Sequence, residues 1–185
     1  MPAMSESEPK RIGLSVDVKP HAYDPVTHPE LFEGVLPRRV VAFLIDVMII
    51  SVPLILLAAF MAVFTVFTLG LGAFVFFLYG PIAIIWALIY YGMTLGSAAS
   101  ATIGMRMLDL EMHTWYGSPV YFVLGAVHAI AYWLTVSFLT PFVLLVPLFN
   151  DRKRALHDML VGTIVINNAP RAAALRSASP FGGRD

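Results

Sequence analysis

The chain of 185 residues has no cysteine, which excludes disulfides, thiolate zinc sites and cysteine nucleophiles. Charge is scarce as well. Asp, Glu, Lys and Arg make up 13% of the residues, against roughly 25% in an ordinary globular chain. The few charges cancel, 12 basic against 12 acidic, so no global field gathers nucleic acid or an acidic substrate. Between Val47 and Met105 there is no Asp, Glu, Lys, Arg or His at all. About 20 apolar residues already cross the ~30 Å hydrocarbon core of a bilayer. That uncharged stretch therefore holds more than one crossing, and the lipid bilayer is its solvent. Catalytic signatures are missing too: there is no Gly-x-x-x-x-Gly-Lys loop, no His-Glu-x-x-His helix and no Gly-x-Ser-x-Gly turn. An enzyme is not expected, and no cofactor motif is present. His21, His28, His113, His128 and His157 are scattered along the chain, so no metal site is expected either.

What remains is apolar: 58% hydrophobic residues and a mean hydropathy of +0.78. Residues 1–20 are rich in Ser, Glu, Pro and Lys and read as a disordered tail. Because the first apolar run begins only near Val40, the start is not a cleavable signal. Residues 21–37 mix aromatics with prolines and suit an interfacial segment, with Pro37 placed for the first turn of a helix. A first membrane helix is predicted over residues 38–67, kinked at Pro53, followed by a turn at Gly70-Leu71-Gly72. A second runs to about Gly96, with Gly80-Pro81 as a weak point. Ala58 and Ala62, and Gly92 and Gly96, have the spacing of close helix approach.

After Gly104 the period changes. Leu108, Leu110 and Met112 alternate with Asp109, Glu111 and His113, a half-buried strand, closed by the turn residues Tyr116-Gly117-Ser118-Pro119. Thr163 to Ile166 form a second β-branched run. Two short strands have few partners but each other, and they are predicted to pair at the membrane face. The segment from Val120 to Phe149 is apolar apart from His128. As one helix it would be about 45 Å long, so it is predicted to go in and return, bending at Thr140-Pro141. The basic clusters Arg38-Arg39, Arg106 and Arg152-Lys153-Arg154 then share the cytoplasmic side with the N-terminus. Three crossings with the C-terminus outside is the alternative. The expected fold class is an all-α polytopic membrane protein over residues 38–167. It comprises a two-helix hairpin, a second bent helical hairpin, a short amphipathic surface helix and a small two-stranded β element at the cytoplasmic face, with residues 168–185 as a disordered tail.

Asp46 lies seven residues beyond Arg39, about 10.5 Å along a helix and on the same face. An acid embedded in lipid meets a cation or stays protonated. Asn150 to Gly162 reads as a short surface helix, capped by Asn150 and stopped by Gly162, with Arg154 and Asp158 as an i, i+4 pair. A plain basic anchor would not need His157-Asp158.

Arg38-Arg39 with Asp46, Thr102-Ile-Gly104 before a strand, and Arg154-Ala-Leu-His-Asp158 with Gly162-Thr163-Ile-Val resemble the RDD family of small bacterial membrane proteins. The family's Gly-x-Thr-x-Gly-Lys stands here as Ser100-Ala-Thr-Ile-Gly104-Met105, with Arg106 following. The resemblance makes Arg38 or Arg39 the named arginine, Asp46 the first aspartate and Asp158 the second. It implies a bacterial inner-membrane location, and some members are linked to sodium/proton antiport. The candidate polar clasp or ion site is Arg38, Arg39, Asp46, Arg154 and Asp158, with Thr102, Gly104, Arg106, His128 and His157 in support. The reading preferred is a non-catalytic module that binds or stabilises a partner, either another membrane protein or a second copy. The alternative is a small ion-coupled transporter using Asp46.

Overall fold

The 33 residues Val35–Phe67 form one helix, α1, in a computed structural model that describes residues 21–139 and 141–178. Gly34, at φ +64°, turns the chain into it. Pro37 falls in its first turn, where the missing N–H needs no partner. Pro53 lies inside α1 without ending it. The helix stops where Leu69 and Gly70 take positive φ, and the Thr68 hydroxyl accepts from the Gly72 N–H at 2.7 Å.

The next apolar segment is not one uniform helix. Residues Leu71–Leu78 wind as a 3-10 helix, and the α-helix α2 covers Tyr79–Leu95. Pro81 explains the position of the change, since it sits in the first turn of α2 and cannot donate to a preceding one. Gly92 and Gly96 are used for close approach, as their spacing suggests, and the partner is α4 (Phe122–Leu139). A Cβ on Gly96 would lie 2.5 Å from the Phe122 backbone nitrogen, and one on Gly92 would lie 2.7 Å from its ring. Ala62, by contrast, is exposed.

Three segments, Pro29–Phe67, Leu71–Leu95 and Phe122–Leu139, are each long and apolar enough to cross a bilayer. Their large side chains point outward: Ile55, Phe60, Ile84 and Phe138 are all exposed. In water that arrangement would be untenable; in lipid it is the solvated face.

The two predicted strands exist and pair. β1 (Leu110–Thr114) and β2 (Thr163–Asn167) are antiparallel, with Met112 opposite Val165 and Thr114 opposite Thr163. β1 begins later than Leu108, because Asp109 turns the chain at φ +55°. Both faces of the pair are covered. Leu110, Met112 and Val165 pack with Val35, Ala42, Leu95 and Met105, whereas Ile164 and Ile166 pack with Phe32, Tyr23 and Leu31 from the segment ahead of α1. Burial on both sides is why β2 reads as an unbroken apolar run rather than an alternation.

Three local features differ from the sequence reading. A helix of one turn, α3 (Ile103–Met107), precedes β1, and the Thr102 hydroxyl caps it by accepting from the Met105 N–H at 3.1 Å. The surface helix, α5 (Leu156–Val161), starts later than Asn150, whose side chain instead accepts from the Arg152 N–H at 2.9 Å. It ends at Gly162 in the left-handed conformation, as predicted. After Asn167, the expected disordered tail is a helix, α6 (Ala169–Ala178). Its alanines favour helix, Asn168 accepts from the Arg171 N–H, and Arg176 donates twice to Glu30 at 2.6 and 3.2 Å. The tails expected at 1–20 and 179–185, and Thr140 of the expected bend, lie outside the described residues.

The Arg176–Glu30 pair holds α6 to the segment before α1. Arg176→Ala is expected to raise hydrogen exchange across 169–178 and leave β2 protected. Global stability should move by no more than about 1 kcal/mol, because Arg176 is more than half exposed.

Candidate functional site: two buried carboxylates against the first helix

Asp158, in the first turn of α5, is completely buried. Arg39, from the start of α1, meets it with two prongs: Nη1 donates to Oδ2 at 2.5 Å and Nη2 to Oδ1 at 2.6 Å. The Ala155 N–H also donates to Oδ2, at 2.8 Å, closing the N-terminus of α5. Arg154 makes no ion pair with Asp158 through its carboxylate. It donates instead to the backbone oxygens of Asp158 and Thr163, each at 2.9 Å, and lies 3.9 Å above the Trp115 ring. A stacked guanidinium satisfied by carbonyls is a stable way to bury that side chain. Burial would raise the Asp158 pKa, but the Arg39 charge and hydrogen bonds, helped by His157 and His128, hold it far below the usual carboxylate range.

The two histidines complete this centre. His157 Nε2 lies 3.5 Å and His128 Nε2 3.7 Å from Asp158 Oδ1, and the His128 Nδ1 is 3.2 Å from the Thr163 hydroxyl. Histidines that are remote in sequence are thus neighbours in space. Together with Asp158 they offer three ligand atoms within 4.8 Å of one another. Arg39 engages both oxygens of the same carboxylate, however, so a metal cation there would sit against a guanidinium. The arrangement is that of an ion pair walled by imidazoles. Burial lowers the His157 pKa to about 4, with Asp158 opposing and Arg39 reinforcing the shift.

Asp46 forms a separate centre. It is buried, accepts from the Tyr90 hydroxyl at 2.5 Å and from the Gly104 N–H at 2.8 Å, and both donors meet Oδ1. Gly104 is required by contact as much as by conformation: a Cβ there would stand 2.2 Å from the Ala42 carbonyl oxygen. The Thr102 cap and Gly104 therefore work together, one fixing the short helix α3 and the other letting it press on α1.

The single clasp of Arg39, Asp46, Arg154 and Asp158 inferred from sequence is therefore divided in two. Helical side chains lean towards the N-terminus of their helix, which carries the Arg39 guanidinium away from Asp46 and towards α5. Arg38 goes elsewhere again, donating to the Leu108 carbonyl and to the Asn167 side chain, which in turn donates to Glu30 and Glu33 carbonyls. Arg106 donates to the Ala101 carbonyl and the Ser97 hydroxyl. Tyr90 is not evident from the sequence; it is one of three tyrosines in α2, and nothing in the apolar run marks which of them meets an acid. Between the two centres lies a cavity of about 330 Å³, lined on one side by Asp46 and on the other by Arg39, His128 and His157.

An arginine at the head of the first membrane helix, an acid two turns on, and a second acid returning to that arginine agree with the family comparison, in which the RDD family model matches residues 34–162. The chain belongs to the RDD family. No curated protein and no solved structure matches it. In this RDD protein Arg39, rather than Arg38, is the arginine that engages the second aspartate.

Two outcomes follow for the Arg39–Asp158 centre. Asp158→Asn strands the guanidinium and is expected to lower stability by about 3–5 kcal/mol, read by thermal or denaturant unfolding in detergent. Acid should also weaken the fold. His157 takes up its proton only near pH 4 when folded, but near 6.5 when unfolded, so the unfolded state binds more protons throughout that window. Stability is expected to fall as pH drops from about 6.5 to 4, and His157→Gln should flatten that slope. Asp158, with its lowered pKa, loses its contribution at still lower pH.

Proposed function

We propose that this RDD-family membrane protein is a non-catalytic module that binds or stabilises a partner, another membrane protein or a second copy, in the cytoplasmic membrane of a bacterium. The observation that carries this reading is the closed Arg39–Asp158 pair: Oδ2 has two donors, Oδ1 faces Arg39 and two imidazoles, and Arg154 seals the helix end. A pair so fully engaged fixes one arrangement of α1, α5 and β2; it has little freedom to load and release an ion. In the proposed topology both ends are cytoplasmic. The pairing of β1 with β2 supports it, since α4 and the segment Pro141–Leu148 lie between them and must leave and rejoin the same small sheet. Arg39, Arg106 and Arg154 all neighbour that sheet's end of the molecule, in keeping with the distribution of basic residues.

The module reading predicts that Asp158→Asn and Asp46→Asn lower protein abundance and partner recovery together, measured by quantitative immunoblot and crosslinking in membranes. Arg39→Lys should give a partial loss, because a lysine cannot reproduce the two-pronged contact. The rival, ion-coupled transport through Asp46, makes the opposite forecast. An Asp46→Asn protein present at normal level and bound to its partner, yet without sodium- or pH-dependent transport in vesicles, would replace the module reading with it.

A further inference from the structure

We infer that the cavity beside Asp46 is a binding site for an apolar molecule carrying a single ammonium head, with the Asp46 carboxylate as the group that recognises the charge. Its volume of about 330 Å³ lies in the range of small-molecule sites. The walls are apolar over most of their extent, including Phe43, Leu95, Met105, Met112 and Val165. Asp46 is the acid on that wall, and its two oxygens are not equivalent. Oδ1 receives both the Tyr90 hydroxyl and the Gly104 N–H, whereas Oδ2 has no hydrogen-bond donor among the described residues.

Arg39, which lines the same cavity, and the motif cations Arg38 and Arg106 are committed elsewhere. Arg39 uses both terminal nitrogens on Asp158, Arg38 donates to Leu108 and Asn167, and Arg106 to Ala101 and Ser97. A carboxylate among apolar walls with one unused oxygen attracts a compact donor cation more strongly than any neutral head. Tyr91, which also lines the cavity, adds an aromatic surface beside that position. An inorganic cation is poorly served here. Na⁺-like and Ca²⁺-like ions need several oxygen ligands at once, and most of this wall is hydrocarbon. An organic ammonium has its charge met by the one carboxylate and can turn its remaining N–H groups towards Thr102 and Tyr91 on the same wall. It supplies its own apolar body, which the rest of the cavity takes up at roughly 25 cal/mol per Å² of buried surface. Arg39 and His157 border the same cavity, but the group assigned to the ammonium is Asp46, which has no part in the Arg39–Asp158 pair, so the inference does not rest on the module reading.

The test uses the full chain in phosphatidylcholine nanodiscs with 1-adamantylamine and 1-adamantanol, which share one cage and differ in charge. Titration calorimetry, corrected against empty nanodiscs, should show saturable binding of the amine and binding roughly tenfold weaker or worse for the alcohol. Asp46→Asn should erase that preference. Ala129→Leu, which fills the cavity and leaves Asp46 intact, should abolish binding of both, and it decides the matter even if Asp46→Asn does not fold. Equal binding of amine and alcohol would overturn the inference, as would amine binding that survives Ala129→Leu, which marks partition into the bilayer. Displacement of the amine by sodium chloride but not by choline chloride would also overturn it, by assigning the site to an inorganic ion.

Discussion

The two-pronged contact between Arg39 and Asp158 is the constraint on which the rest of the arrangement depends. Asp158 is wholly buried, and an ionised carboxylate in such surroundings is tolerable only with a well-aligned cation and further donors. Arg39 supplies the cation from the first turns of α1; Ala155 supplies a backbone donor. Satisfying that group forces α5 against the head of α1, and Arg154 extends the constraint to β2 through the Thr163 carbonyl. β2 then pairs with β1, and the apolar segments between them have to leave the sheet and come back to it. One charge pair thus couples elements that are separated by most of the chain.

Asp46 fixes a second level of the same helix by different means. Its partners are a phenol from α2 and a backbone N–H from α3. Neither carries charge, and both are held by close packing: Gly104 on Ala42, Gly92 and Gly96 on Phe122. Near the sheet, where α1 begins, an ion pair can be reached by a long arginine. Two turns farther along, a short aspartate has to be approached by the backbone itself, and glycine is what permits that approach.

The absence of charge from Val47 to Met105 is enough to place α1 and α2, and an alternation after Gly104 with a β-branched run after Gly162 is enough to find both strands and their pairing. Proline and glycine mark the right places with the wrong detail, since Gly80-Pro81 falls in the first turn of an α-helix that follows a 3-10 segment rather than weakening one helix. α6 escapes the sequence reading because Leu175 is its one large apolar residue, so no periodic stripe marks the helix, and what orders it is a contact with Glu30, remote in sequence. The candidate residues were legible, but their grouping was not. A helical wheel shows that Arg39 and Asp46 share a face, yet it carries no information about the direction in which each side chain leans. Tyr90 and the meeting of His128 with His157 arise only from tertiary packing.

The contrast between the two acids separates structure from chemistry in this fold. Asp158 has its carboxylate oxygens engaged by Arg39 and Ala155, and the imidazoles close the remaining side. A group so engaged contributes rigidity, and any ligand would first have to displace a guanidinium. Asp46 is held through one oxygen by Tyr90 and Gly104, while the other has no donor among the described residues and the side chain lines a cavity. Rigidity with spare bonding capacity is the combination that recognition requires, since a preorganised acceptor loses little entropy when it is filled. The same helix therefore carries a lock at its head and an open acceptor two turns on, and the lock holds α5 and its His157 in place as part of the wall of the cavity that Asp46 also lines.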